Sequence, residues 1–288
     1  MTPSASRPRR SLLYVPASNT RALEKARSLA ADGFIVDLED AVLPEAKPDA
    51  RRAAVELLRA GGFGQRELIV RTNALDTPWA KDDFVALAEA KAPAVLVPKV
   101  SKPDDLRAAV AVLAPSPATQ LWAMMETAAS ILWAREIAAF GAPLAGLVVG
   151  TNDLAKELRC THPHDRAPMR TALQTCVLAA RASGLAAIDG VHIDLDDEQG
   201  FIDSCRESRA LGFDGRSLIH PKQIAGANAA YAPSEADLER ARRIVAAHKD
   251  AAAAGKAVAV VDGRLVEFLH VREAERLLAQ AEAIADLA

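Results

Sequence analysis

Glu126 and Asp153 are the residues of this chain best suited to hold a hard divalent cation. Each is a carboxylate directly after an apolar run, and they stand 27 positions apart, the span of one strand-plus-helix unit. More polar residues follow the other apolar runs: Asp37, Glu39 and Asp40, then Arg71 and Asn73, Lys99, Asn152 beside Asp153, Asp189 with His192, and His220. Carboxylates that converge without matching cations are costly unless a cation sits among them. Oxygen donors with few histidines favour Mg²⁺ over zinc. The alternative for Glu126 or Asp153 is an ordinary one, capping the helix that follows. Arg71 ends an apolar strand, and a guanidinium there binds a carboxylate through two parallel hydrogen bonds, which suits a keto acid or hydroxy acid. Its alternative is a standing ion pair with the Asp37–Asp40 group.

The elements that must position these side chains are legible as a repeated cassette: a short apolar run, a polar residue at its end, then a segment with helical spacing. Eight such runs occur, at 11–17, 33–40, 67–73, 94–100, 120–127, 146–152, 186–193 and 215–220. Alanine-rich helical stretches lie between them. Asn19-Thr20 and Ser101 stand as start signals, the latter ahead of Pro103 in a first turn, and glycines such as Gly61, Gly184 and Gly212 mark stops. Near-continuous apolar strands alternating with helices predict a parallel sheet covered on its faces, and eight repeats predict a closed (β/α)8 TIM barrel. In that fold catalytic groups come from the C-terminal strand ends, where the polar residues fall. After Pro221 the pattern changes to a helix over about 234–254, an apolar run 257–261, an Asp262-Gly263 hairpin turn, a run 265–269 and a final helix. The expected organisation is a flexible N-terminal arm over 1–10, a barrel over 11–232 and a C-terminal lid appendage over 233–288.

Composition removes other functions. The chain has 288 residues, half of them hydrophobic, with a formal net charge of −3. That supports a large core and gives no basic footprint for nucleic acid. No apolar run reaches the ~18 residues of a membrane span, and the opening segment lacks the apolar region of a signal peptide, so a soluble cytoplasmic protein is expected. Cys160, Cys176 and Cys205 are too scattered for a disulfide framework or a CxxC motif, and Cys176 falls on a helical core stripe. Asp194–Gly200 misses the EF-hand pattern, because its glycine comes one place late and position twelve is Cys205. His162-Pro-His164-Asp165 lacks further metal ligands nearby and reads as an exposed loop. Walker A, GxSxG and GxGxxG motifs are missing from the sequence.

The segments RRSLLYVPASNTRALEKA, GFIVDLEDAV, VRTNALDTPW, VLVPKV, METAASILWAREIA, GLVVGTNDLAKEL and ALGFDGRSLIHPKQI run in order from Arg9 to Ile224. Together they resemble the citrate lyase β-subunit-like family, which includes malyl-CoA and citramalyl-CoA lyases within the wider HpcH/HpaI aldolase group. The resemblance implies Glu126 and Asp153 as Mg²⁺ ligands, Arg71 as the carboxylate binder, and Asp37, Glu39 and Asp40 as acids that orient metal-bound water and Arg71. It also implies a coenzyme A arm near the first strand, with Asn19, Arg21 and Lys25 as candidates for its phosphates, and a homo-oligomer, a trimer or hexamer. One departure stands out. The family ends in a segment like DGRMIDAP, whose Asp moves a proton at the acyl carbon in a neighbouring subunit, whereas this chain reads DGRLVEFL, with Glu267 in that place. The extra methylene shifts the carboxyl by ~1.5 Å, and misplacement of about 1 Å can cost on the order of 10²-fold in rate.

The resulting expectation is a Mg²⁺-dependent carbon–carbon lyase acting on a 3-hydroxyacyl-CoA thioester such as malyl-CoA or citramalyl-CoA, releasing a keto acid. Arg71 binds the carboxylate and Glu267 supplies the proton. Two alternatives stay open on the same barrel: an aldolase for free hydroxy keto acids, and a hydrolase of the thioester. A third is a noncatalytic subunit that depends on an acyl-carrier partner.

Overall fold

The computed structural model describes residues 7–163, 165–255 and 258–287. His164, Ala257 and most of the expected N-terminal arm lie outside them. Eight strands form where aliphatic residues run on: β1 Ser11–Pro16, β2 Gly33–Asp37, β3 Glu67–Arg71, β4 Ala94–Val97, β5 Gln120–Met125, β6 Leu144–Val149, β7 Ala186–Asp189 and β8 Gly215–Leu218. All pair in parallel and in chain order, and β8 pairs with β1, so the sheet is a closed (β/α)8 barrel as expected.

Period-two alternation sorts the strand residues into two layers. Leu12, Ile35, Ile69, Leu96, Trp122, Met124, Val148 and Ile188 fill the interior, while Leu13, Phe34, Val70, Val95, Ala123 and Leu147 pack outward with helix residues. Trp122 fits inside because β6 passes it as glycine: a Cβ on Gly146 would stand 2.3 Å from the indole. The floor is closed by charge, with Arg9 Nε 2.7 Å from Glu67 Oε2, both buried, and the Arg9 guanidinium over the Trp122 ring.

Local signals set the helix starts. Asn19 caps the helix Thr20–Ala26 by accepting from the Ala22 N–H at 3.0 Å. The helix Pro103–Leu113 starts with Lys102 as its cap, one residue later than the Ser101 start signal implied, because the Asp105 carboxylate accepts from the backbone N–H groups of both Ser101 and Lys102. Among the described residues no helix is long and apolar enough to cross a membrane.

The described chain divides into two compact units, one of which is the barrel, Arg9–Tyr231. The other is built on the chain from Ala232 onward. It contains the helix Glu235–Ala253, an antiparallel hairpin of β9 Ala259–Val261 and β10 Arg264–Val266, and the helix Phe268–Leu287. Ala241, Ile244, Ala259, Val261, Val266, Val271 and Ala274 make its own small core. Asp262 and Gly263 both take positive φ, at 52° and 73°, the turn that an Asp-Gly pair favours. The apolar run 265–269 is divided: strand pairing stops at Val266 and the final helix starts at Phe268, its first turn tied by the Glu267 N–H donating to His270 Nδ1 at 3.0 Å.

Candidate active site

Register brings the chemistry to one end. Asp37 and Arg71 are direct partners across β2 and β3. Met125 pairs with Val149 across β5 and β6, so the next positions, Glu126 and Gly150, are neighbours just beyond the strands. A cavity of about 320 Å³ opens here, and its wall includes Tyr14, Asp37, Arg71, Met124, Glu126 and Asp153.

The first layer of this site is a satisfied ion pair. Arg71 grips Asp37 with Nε and Nη2, each at 2.7 Å, and Asp37 also accepts from the N–H groups of Glu39 and Ala41. Burial alone would raise the Asp37 carboxyl, but Arg71 and the two amides outweigh it and hold the group below the ordinary carboxylate range. The standing pair with the acidic cluster, the alternative role for Arg71, is therefore present, and Nη1 is the edge of the guanidinium directed elsewhere.

The second layer is not satisfied. Glu39 Oε2 lies 2.9 Å from Arg71 Nη1 and Oε1 lies 3.3 Å from Lys99 Nζ, yet both oxygens are buried without an aligned hydrogen bond. Glu126 Oε1 accepts from the Lys99 N–H at 2.8 Å, while its Oε2 is buried with no partner. Burial above all, with Glu39 and then Asp153 adding repulsion, pushes the Glu126 carboxyl up to about 8. The strand end is shaped for this carboxylate. Gly150 leaves the space, since a Cβ there would meet Glu126 Oε2 at 2.4 Å, and Lys99 holds φ at +53°, an uncommon conformation for a residue with a side chain.

Asp153 is half-buried in the first turn of the helix Thr151–Leu158 and reaches the cavity wall. Two close carboxylates, one with an orphaned buried oxygen, suit a hard cation that keeps water among its ligands. No ready-made cluster of three or more metal-binding side chains occurs among the described residues, so water or substrate oxygens would complete the coordination.

Lys47 has an unexpected part. It belongs to the helix Lys47–Ala60, yet its ammonium is turned inward to the carbonyls of Leu38 and Glu39 at 2.8 and 2.7 Å and lies over the Trp79 ring, so it braces the acidic β2 loop.

Several strand-end residues stand elsewhere. Asp189 has the wrong parity, because Ile188 points into the barrel. It is buried behind the sheet, where Arg166 Nη1 donates to it at 2.5 Å. Asn73 donates to Asp83 on the helix Ala80–Glu89. His192 stacks edge-on with Phe201, and His220 accepts from the Lys222 N–H to cap a short turn. Of the coenzyme A candidates, Asn19 uses its side-chain oxygen as the helix cap, and Arg21 and Lys25 are exposed on that helix. Glu267 is exposed in the second unit. Tyr14 and Met124 read in the sequence only as strand residues, and both line the cavity.

Comparison with known proteins gives the family of the chain. The chain is 51% identical over 278 residues, 96% of each chain, to a (3S)-malyl-CoA thioesterase of Cereibacter sphaeroides strain KD131. It is 34% identical over 307 residues to the L-malyl-CoA/beta-methylmalyl-CoA lyase of Rhodobacter capsulatus, covering 97% of this chain and 96% of that one. Among solved structures, CitE of Mycobacterium tuberculosis in complex with magnesium, acetoacetate and coenzyme A aligns with a TM-score of 0.76 at 34% identity, covering 94% of this chain and 97% of that one. The model of the HpcH/HpaI aldolase/citrate lyase family matches residues 10–221, nearly the whole barrel, and the chain belongs to that family.

Proposed function

We propose that this protein is a Mg²⁺-dependent enzyme acting on the coenzyme A thioester of a 3-hydroxy dicarboxylic acid of the malyl-CoA kind, and that it hydrolyses the thioester. The observation that carries the reading is the buried, unpartnered Oε2 of Glu126 in a wall shared with Asp153 and Arg71. Glu126 and Asp153 would hold the ion, whose chemistry is to polarise a carbonyl oxygen and acidify bound water. Asp37 fixes the guanidinium of Arg71, and Nη1 faces the substrate carboxylate. Glu39 and Asp40 flank Nη1 and stand ready to accept hydrogen bonds from water at the mouth. Exposed Arg21 and Lys25 are the cations offered to the coenzyme A phosphates.

Hydrolysis adds water oxygen to the thioester carbonyl, breaks the C–S bond and returns a proton to the thiolate. No proton has to be placed on carbon, so this chemistry tolerates Glu267 where the family pattern has Asp. The thioesterase name of a relative at 51% identity favours the same bond.

A second reading, carbon–carbon cleavage, is favoured by the family match and by the lyase relative. There the carboxyl of Glu267, from a neighbouring subunit of a homo-oligomer, would protonate the thioester enolate.

The test is to incubate the purified protein with (3S)-malyl-CoA and Mg²⁺, following free thiol, malate, glyoxylate and acetyl-CoA together. Free thiol and malate in equal amounts, lost with EDTA and unaffected by Glu267→Ala, are expected. Glyoxylate and acetyl-CoA without free thiol would move the assignment to the lyase, and no turnover of any hydroxyacyl thioester overturns both.

A further inference from the structure

The Tyr14 hydroxyl in the cavity wall donates to a poor acceptor, a sulfur that it shares with Arg71 Nη1. Tyr14 is an inward residue of β1, packed on top of the barrel interior, and its ring lies under the Arg71 guanidinium with 4.9 Å between that group and the ring centre. Its hydroxyl donates to Met124 Sδ at 3.9 Å, and Arg71 Nη1 donates to the same sulfur at 3.8 Å. A thioether is a weak acceptor, and phenols in such places ordinarily find an oxygen. Nε and Nη2 of Arg71 are taken by Asp37, and Nη1, besides the sulfur, faces Glu39 Oε2 at 2.9 Å and Asp40 Oδ2 at 3.5 Å, carboxylates whose charge the cation at this site would offset. The sulfur belongs to a methionine, the side chain that most readily swings aside.

What fits two donors beside a guanidinium is an anion with two oxygens. Val149, Val191 and Ile219 supply the apolar part of the same wall, so the space suits a short carbon chain ending in that anion. We propose that the Tyr14 hydroxyl is a substrate-binding donor, which with Arg71 Nη1 takes the carboxylate of the 2-hydroxy or 2-oxo acid end of the substrate in place of Met124 Sδ. Burial, more than any charge, keeps the phenol protonated at all working pH values, so the group donates rather than repels. The inference rests on the cavity being the site for a carboxylated acyl thioester, and it extends that reading to the residue that selects the acid.

Isothermal titration of L-malate into the Mg²⁺-loaded protein separates the two levels. The wild-type protein is expected to bind malate, and Tyr14→Phe, which keeps the ring under Arg71, to bind it at least about tenfold more weakly. Mg²⁺ affinity and melting temperature should stay unchanged, a pattern that loss of packing would not give. A measurement without any variant uses carbon-13 at the ring Cζ, because the chain has only two tyrosines. Saturating malate should move the Tyr14 signal and leave that of Tyr231, which donates to Ser208 inside the fold, in place. If wild type binds malate while Tyr14→Phe matches it within twofold, or the Tyr14 signal stays still, the inference is wrong and the site assignment survives. If the wild-type protein binds neither malate nor glyoxylate, both fall.

Discussion

The barrel has buried ionisable groups at both ends, and the two ends treat them differently. At the floor, Arg9 meets Glu67 at 2.7 Å, and Arg10 meets Asp32 through Nε, Nη2 and its backbone N–H, all within 2.8 Å. Every one of those groups has a strong partner inside the chain. At the mouth, Asp37 and Arg71 are matched in the same way, but Glu39 keeps two buried oxygens and Glu126 one without an aligned donor. Buried polar atoms are nearly always satisfied in a folded protein, and exceptions call for a cause. The ionisable groups of the floor are matched within the chain, whereas on the function proposed above those of the mouth are completed by a cation. Residue type does not separate the two ends, since both use Arg with Asp or Glu.

The largest effect that would sharpen this contrast comes from Glu126→Gln and Asp153→Asn. Each should lower Mg²⁺-dependent turnover of malyl-CoA by about 10³-fold or more, because the charge that polarises the substrate is lost. Stability should move the other way. With its carboxyl raised from 4.5 to about 8, the metal-free fold favours protonated Glu126, so it loses stability as pH rises from the ordinary value through 8. Glu126→Gln removes that loss. Without Mg²⁺ the variant should melt above the wild type, by more at pH 9 than at pH 6, in calorimetry with EDTA. A lower melting temperature at both pH values would mean that Glu126 is a structural group like Glu67.

The floor should give the mirror image. Glu67→Gln removes the negative charge from a buried pair with Arg9, a change expected to cost about 3 kcal/mol in urea unfolding. Mg²⁺ affinity and KM should hold, since Glu67 is at the other end of β3 from Arg71. A fall in Mg²⁺ affinity as large as that in Asp153→Asn would break the comparison.

How far the sequence reaches follows the same division. All eight strands begin within two residues of where the apolar runs begin, because interior and outer layers impose an unbroken signal on a covered sheet. Glu126 and Asp153 are legible as a pair because both follow such runs directly. Asp189 also ends a strand, and only its odd parity, fixed by the inward Ile188, turns it away from the mouth. His192 and His220 are lost to local partners, which spacing does not reveal. Tyr14 is hidden for a different reason: its hydroxyl acquires meaning from a sulfur 110 residues further along the chain. Lys47 reads as one more solvated helix cation until the fold turns its ammonium onto two carbonyls of the β2 loop.

The smallest test compares two glycines of one strand and its extension. Gly146 faces the interior and Gly150 faces the mouth. Neither has the left-handed backbone that would bar alanine, and Gly150 has φ −100°. Space alone decides. On Gly146 the new carbon would press into the Trp122 ring at 2.3 Å, an overpacked core expected to cost about 1–3 kcal/mol of stability with Mg²⁺ affinity intact. On Gly150 it would meet Glu126 Oε2 at 2.4 Å and Glu126 Cβ at 2.6 Å, so the strand end must shift and carry the carboxylate out of place. Gly150→Ala should therefore weaken Mg²⁺ binding by roughly tenfold, about 1.4 kcal/mol, because misplacing one ligand removes part of a site without removing its charge. Isothermal titration with Mg²⁺ on both variants reads this directly. If Gly150→Ala loses stability but keeps its metal, Glu126 is packed there as core, and the mouth is no more unfinished than the floor.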